Sequence, residues 1–473
     1  MATDTVGHHD APAWNVGYVP PLAAFTCVVI GGLAAVQPPA ALALVLGIGF
    51  LFVTFRNLAA GLALFTALVS LDQIPALEAS LTFAKLAGGV LAVAWGAQLM
   101  RRHDLRLLIR DRPVVTIAAV GLALWAASSS LWAIDEDVAL SSAFRLAQGL
   151  LLVFIIYSAL REPRHVRWVL GTYVGGAVIT ALFALGSAAT GGLTRLSGEN
   201  ANPNELAALF LPGVVLSVFA ALGERRPLLR WAASGAATIL LVALLLTGSR
   251  GGLLGLAVAL VAGIVVAGAG RVRFGLVAVT LVIGGSVVVY YAAFAPAEQA
   301  DRVAAISDDG GSGRTDLWRV ASEVASDRPL TGVGAGNFRE AEARYAAREI
   351  DIARIDLVLD ESKVVHNTYL SILSELGAVG LALFLFLVVA ALASTIAGLR
   401  AVVRRSEQLE LLLRGFLVGL LGLFASYVFA SAEYRKPLWL LLGVALALPA
   451  ITGRYRNEPL VPPDAQLTSR DLR

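Results

Sequence analysis

The chain has 473 residues, of which 58% are hydrophobic and only 15% charged, with a formal net charge of +3. A soluble protein carries about 25% charged residues, so the composition excludes an ordinary soluble domain. A net charge this small, on so few charged groups, gives no sign of a nucleic-acid partner.

Apolar stretches long enough to cross a hydrocarbon core roughly 30 Å thick recur along the whole length. Lipid offers the backbone no hydrogen bonds, so each crossing is expected to be a helix. The expected fold is all-α, a polytopic transmembrane bundle of about 12–14 spans. In chain order the predicted spans are 20–36, 39–55, 58–71, 81–100, 113–132, 141–160, 166–188, 205–222, 228–247, 251–269, 272–294, 366–398, 409–431 and 437–452. Residues 1–19 hold no Lys or Arg and do not read as a cleavable signal. Cys27 is the single cysteine, so no internal disulfide is expected.

Sidedness follows from the arginines of the short connections. One set of alternate connections holds Arg56, then Arg101, Arg102, Arg106, Arg110 and Arg112, then Arg161, Arg164 and Arg167. The same set continues with Arg225, Arg226 and Arg230, with Arg271 and Arg273, and with Arg400, Arg404 and Arg405. The other set holds little beyond Arg195, Arg250, Arg435 and Lys436. The first set is expected to be cytoplasmic. The expected organisation is a disordered cytoplasmic head at 1–19, eleven spans over 20–294, one external loop at 295–365, C-terminal spans over 366–452 and a cytoplasmic tail at 453–473.

The outward arginines go against the charge bias of the chain and need a reason. TGSRGGLLGL, 247–256, puts Arg250 in a tight connection between two spans. An arginine at a membrane boundary is usually paired or functional, the alternative being a side chain that snorkels to the interface. In GRTDLWRVASEVASDRPLTGVGAGNF, 313–338, residues 314–326 read as an amphipathic helix with Leu317, Val320, Val324 and Trp318 on its apolar side. Arg314 begins that helix, where the dipole disfavours a cation. It points to an anionic partner or is an ordinary solvated arginine. Gly332, Gly334 and Gly336 form a bendable turn, too weak a pattern for a phosphate loop without a preceding strand.

NPNELAALFLP, 202–212, opens a span with Asn202, Pro203 and Asn204, a helix start in which Asn caps and Pro takes the first position. Such an N-terminus also meets phosphate. HNTYLSILSELG, 366–377, puts His366 and Asn367 at the mouth of another span. A neutral imidazole accepts a proton near pH 7, and Asn367 is suited to orienting it or binding a sugar. Lys85 and Arg145 lie deeper, each suited to pairing with a carboxylate or reaching an interface. Asp135 and Asp137 in AIDEDVAL, 133–140, have the spacing of a metal-binding acid pair or form an acidic connector.

Arginines with one histidine suit a diphosphate leaving group. Guanidinium binds phosphate oxygens bidentately and stabilises developing charge, while the imidazole takes the proton of an attacking hydroxyl.

The order of these motifs resembles the O-antigen ligase and polymerase superfamily over roughly residues 113–450. NPNELAALFLP, GSRGG, GRTDLW with RPLTGVGAGNF, and HNTYLSILSELGAVG each resemble a family element, with Gly377 following His366 as in the family. The resemblance implies a C-type glycosyltransferase of about twelve spans, without a metal or other cofactor. It implies a polyprenyl-diphosphate-linked glycan donor, a glycolipid or lipid-linked glycan acceptor, and surrounding membrane lipid. His366 is then the general base, and Arg250 and Arg314 hold the diphosphate. Arg195, Asn202, Asn204 and Asn367 are further substrate contacts. The expected site faces outward from the cytoplasmic membrane. A polymerase or protein O-oligosaccharyltransferase would use the same chemistry. A transporter for an anion or solute is the rival of another class, though no repeat-related halves are evident.

Overall fold

The computed structural model describes residues 35–72, 83–101, 106–191, 202–268, 271–295, 314–347 and 364–457. Among them the structure is all helical. The helices are α1 (Pro38–Arg56), α2 (Leu58–Leu71), α3 (Phe83–Arg101), α4 (Pro113–Ser128), α5 (Glu136–Ala159), α6 (Pro163–Gly191), α7 (Pro203–Gly223) and α8 (Pro227–Leu246). They continue with α9 (Arg250–Val266), α10 (Arg271–Val289), α11 (Arg314–Asp327), α12 (Phe338–Ala346), α13 (Thr368–Val402), α14 (Glu407–Ser426) and α15 (Lys436–Thr452). A single helical turn at Leu108–Asp111 precedes α4. Among the described residues, nine helices are long and apolar enough to cross a membrane, and the apolar segments Ala40–Arg56, Leu58–Leu71 and Arg250–Val266 are shorter. The chain is a multi-pass helical membrane protein. The predicted span at 20–36 lies almost wholly outside the described residues, as do the head at 1–19 and most of the tail.

Proline sets many of the starts. It occupies the first turn of α1, α4, α7, α8 and α15, where its missing N–H costs nothing and its fixed φ suits the helix. The centre of the bundle is formed by α7, α14 and α15, each 72% buried over its span, whereas α8 is 22% and α10 11% buried. The outer helices present Leu228, Trp231, Phe274, Leu281 and Val282 outward, the apolar surface expected where lipid replaces water.

The connections sort into two ends, and the sorting matches the arginine count. At the arginine-rich end Arg225 pairs with Glu407 at 2.7 Å, Arg167 meets Gln408 and Arg405 reaches the carbonyl of Arg456. At the opposite end Lys436 meets Asp72 at 2.8 Å and Arg435 meets Glu205.

The second end carries a small cap. In α11, Leu317, Val320 and Val324 are buried and Trp318 is partly buried, as the amphipathic pattern requires. They pack with Val333, Phe338, Ala341 and Tyr345 into a core of their own. The glycine turn between α11 and α12 is a clamp on α13. Val333 N–H donates to Ser374 C=O at 3.0 Å, Gly334 N–H to Glu375 C=O at 2.9 Å, and Ala378 N–H to Pro329 C=O at 2.7 Å. Those carbonyls are available because α13 breaks at Gly377, whose φ is 67° and ψ −171°. Trp125 Nε1–H donates to Leu376 C=O at 2.8 Å beside the break. Contact is so close that a Cβ on Gly377 would lie 2.2 Å from Leu330 C, and one on Gly332 (φ 64°) would lie 2.4 Å from Glu375 C. Only glycine adopts this backbone freely and allows this approach.

Candidate functional site

The site is built from helix starts at the end opposite the arginine-rich connections. Asn202 caps α7 by accepting from Asn204 N–H at 3.0 Å. Ser249 caps α9 by accepting from Gly252 N–H at 3.1 Å. The two caps are joined: Ser249 Oγ–H donates to Asn204 Oδ1 at 2.7 Å, and Asn204 Nδ2–H donates to Asn202 Oδ1 at 2.9 Å. Asn204 is 5% exposed, so it serves as the link between two helix starts. Arg250 is the first residue of α9 and is half-buried.

The next link is Phe429. A Cβ on Gly251 would come 2.8 Å from Phe429 Cβ and 2.9 Å from Ser426 O, so the start of α9 rests directly on this segment. From the other side the Trp318 ring packs on Phe429 with centroids 5.6 Å apart. Trp318 lies one turn after Arg314, the first residue of α11. The Arg314 side chain lies outside the described residues, as does the whole of Arg195. Trp318 Nε1–H also donates to Val365 C=O at 3.1 Å, which fixes the residue immediately before His366.

His366 is half-buried and has φ 54°, a left-handed conformation uncommon outside glycine, though less so for histidine. Asn367 caps α13, its Oδ1 accepting from Tyr369 N–H at 3.0 Å and Leu370 N–H at 3.1 Å. The segments carrying Arg250, Arg314 and His366 thus meet through two aromatic side chains and one carbonyl.

Several residues beside this junction carried no distinguishing signal in the sequence. Glu375, on α13, accepts at Oε2 from Gly336 N–H and from Tyr434 O–H, both at 2.8 Å. Glu433 accepts at Oε1 from Ser371 O–H at 2.8 Å. Burial, reinforced by the Glu375 charge, pushes the Glu433 carboxyl up to about 8. Burial first, then the charges of Glu375 and Glu433, holds the Tyr434 phenol well above its usual range. The Arg145 guanidinium lies 5.3 Å from the Tyr434 ring centroid and donates to Ser142 Oγ at 2.9 Å. Arg145 therefore belongs to this acid cluster, whereas Lys85 is exposed on α3. Arg145 was legible as a deep charge in apolar sequence, whereas Glu433, beside Arg435 and Lys436, was not singled out.

The Asp135–Asp137 pair has a local use. Asp135 caps α5, accepting from Val138 N–H at 3.0 Å. Its backbone N–H donates to Asn337 Oδ1 at 2.7 Å, tying this connection to the glycine clamp.

Two cationic helix starts, a histidine before a third, and enclosed carboxyls suit an anionic substrate and a proton acceptor beside it. Residues 235–385 match the family model described as O-antigen ligase. The match includes Arg250, Arg314 and His366, and stops short of Asn202, Asn204 and the 430–436 connection. No curated protein matches the chain.

Proposed function

We propose, from the match of residues 235–385 to the O-antigen ligase family model and the meeting of the motifs at one end of the bundle, that this chain moves a polyprenyl-diphosphate-linked glycan onto an acceptor hydroxyl at the outer face of the cytoplasmic membrane. The hydroxyl oxygen attacks the anomeric carbon from the side opposite the diphosphate, with inversion. The new C–O bond forms as the bond to the diphosphate breaks, and the electron pair leaves with the lipid diphosphate. His366 takes the hydroxyl proton. Arg250 and Arg314 hold the diphosphate and neutralise its growing charge, which needs no metal.

The observation that carries this reading is the junction at Phe429. Trp318 and Gly251 both pack on it, and Trp318 also holds Val365. Three motifs far apart in the sequence thereby share one end of the bundle. The dipoles of α9 and α11 point their positive ends there. Asn202, Asn204 and Asn367 support the site chiefly by fixing helix starts. A lipid-linked glycolipid acceptor makes the protein a ligase, and a growing lipid-linked repeat makes it a polymerase. A serine or threonine of a protein is the third acceptor with the same chemistry.

The test uses purified full-length protein with a lipid-diphosphate glycan and an acceptor lipid, in the presence of a chelator. Transfer is expected to persist, and His366→Ala to lower it by about 10²–10⁴-fold. Arg250→Ala and Arg314→Ala are each expected to cost about 10²–10³-fold. Collapse of transfer on chelation turns attention to Asp135 and Asp137. Solute flux in liposomes without any transfer favours a transporter.

A further inference from the structure

One face of α13 is stitched to the connection between α14 and α15. Thr368, Ser371 and Glu375 recur at the spacing that lines one side of a helix. Thr368 Oγ1–H donates to Ala430 C=O at 2.6 Å and the same oxygen accepts from Ala432 N–H at 3.0 Å. Ser371 continues the seam to Glu433, and Glu375 to Tyr434. Trp439 Nε1–H donates to Glu433 C=O at 2.9 Å and anchors the connection from beneath. His366 sits two residues before Thr368, at the open end of this seam. Its backbone is left-handed, φ 54°, and the segment that carries it is held on one side by the Trp318 bond to Val365 and on the other by the seam.

The two carboxyls of the seam differ in their supply of donors. Glu375 has Gly336 N–H, Phe338 N–H and the Tyr434 hydroxyl, with Arg145 nearby. Glu433 is 5% exposed, has Ser371 on one oxygen, and keeps Oε2 buried with no hydrogen-bond partner among the described residues. Its charged and titratable surroundings are Glu375 from α13, Tyr434 and Arg435 from its own connection, Tyr427 from the end of α14, and Glu205 from α7 through the ion pair with Arg435. Arg435 is already engaged by Glu205. A second ionised carboxylate beside Glu375, with one oxygen unmatched, is the unfavourable state of this enclosure.

We propose that Glu433 is a positioning residue that works in its neutral form, holding the start of α13, and with it His366, against the 430–434 connection. Its effect on turnover rests on the glycosyl-transfer reading; its effect on the placement of His366 does not. The Glu433 carboxyl is raised from its ordinary 4.5 to about 8, by burial first and the Glu375 charge second. The stability that accompanies the neutral carboxyl is complete below the unfolded value and drains away as pH rises through the folded one. As pH rises and this carboxyl ionises beside Glu375, the neutral form that the enclosure favours is lost, and with it the hold on the start of α13.

The experiment compares wild type, Glu433→Gln and Glu433→Ala, each purified full-length, between pH 6 and pH 9.5. Gln keeps the shape of the neutral acid and cannot ionise. Three readings are taken: diethylpyrocarbonate labelling of the His366 peptide by mass spectrometry, the thermal midpoint, and glycan transfer. Taking the ratio of variant to wild type at each pH removes the ionisation of the histidine itself. The expected result is an alkaline change in wild-type labelling, an alkaline loss of transfer and a falling midpoint, all absent in Glu433→Gln. The ratio of Glu433→Ala to wild type is expected to depart from one near pH 6 to 7 and to approach one at alkaline pH. Identical alkaline behaviour in wild type and Glu433→Gln overturns the proposal. If labelling and midpoint respond as expected while no variant or wild type transfers glycan, the positioning role stands and the glycosyl-transfer reading falls.

Discussion

Both ends of the bundle carry ion pairs, and they differ in how many buried hydrogen bonds join distant segments. At the arginine-rich end, the links between distant segments include exposed pairs such as Arg225 with Glu407, whose side chains are 61% and 49% exposed, beside the more buried Arg414–Glu410 pair within α14. At the other end, distant segments meet through buried hydrogen bonds: Ser249 with Asn204, Ser371 with Glu433, and Val333 and Gly334 with α13. Exposed pairs contribute little and tolerate rearrangement. Buried polar contacts are expensive to leave half-made, so they fix one geometry. The end that holds the motifs is the end where geometry is fixed.

Substitutions should separate the ends, beginning with the break in α13. Gly377→Ala adds a methyl group 2.2 Å from the Leu330 backbone and forces a non-glycine residue to φ 67°. The backbone strain alone is about 1–3 kcal/mol, and the overlap adds to it. The expected outcome is a protein that purifies poorly and transfers no glycan; near-normal yield and turnover would show that the clamp is dispensable. Asn204→Ala comes next. It leaves Ser249 Oγ without its acceptor in a buried place, at a cost of about 1–3 kcal/mol. A thermal scan should show a clear fall in midpoint, accompanied by weaker donor binding because Arg250 follows Ser249.

Trp318→Phe sharpens the comparison further. It keeps ring contact with Phe429 and removes the donor to Val365, for a net loss of about 0.5–1.5 kcal/mol. Transfer should fall more than stability does, and equal loss of both would assign Trp318 to the cap alone. The smallest effect is expected at the opposite end. Glu407→Ala removes the exposed partner of Arg225 at a cost of about 0–1 kcal/mol, and transfer should stay within the error of the assay. A large loss there would erase the distinction between the ends.

Most of the architecture was legible in the chain. The predicted spans 58–71 and 437–452 correspond to α2 and α15, and the cap helix starting at Arg314 ends at Asp327. Apolar run length and capping residues are local properties, so a sequence displays them directly. The arginine pattern also sorted the connections into the groups found at the two ends. The glycine turn was legible as a turn and not as a clamp, because its partners lie on α13, about forty residues onward. Arg145 read as a deep, isolated charge, since Tyr434 reaches it only after α5 and the 430–434 connection come together. Glu433 was not singled out, because burial is not written in its neighbours.

What the amino-acid sequence determined by itself is the set of helices, their starts, the cap's apolar face and the segregation of arginine, all consequences of short-range backbone preference and of transfer between lipid and water. What only the tertiary structure decided is which helix starts touch. Asn204 finds Ser249, Trp318 finds both Phe429 and Val365, and Glu433 is enclosed beside Glu375. The reason is that enclosure and pairing depend on elements brought in from afar, and no local stretch carries the distance between them.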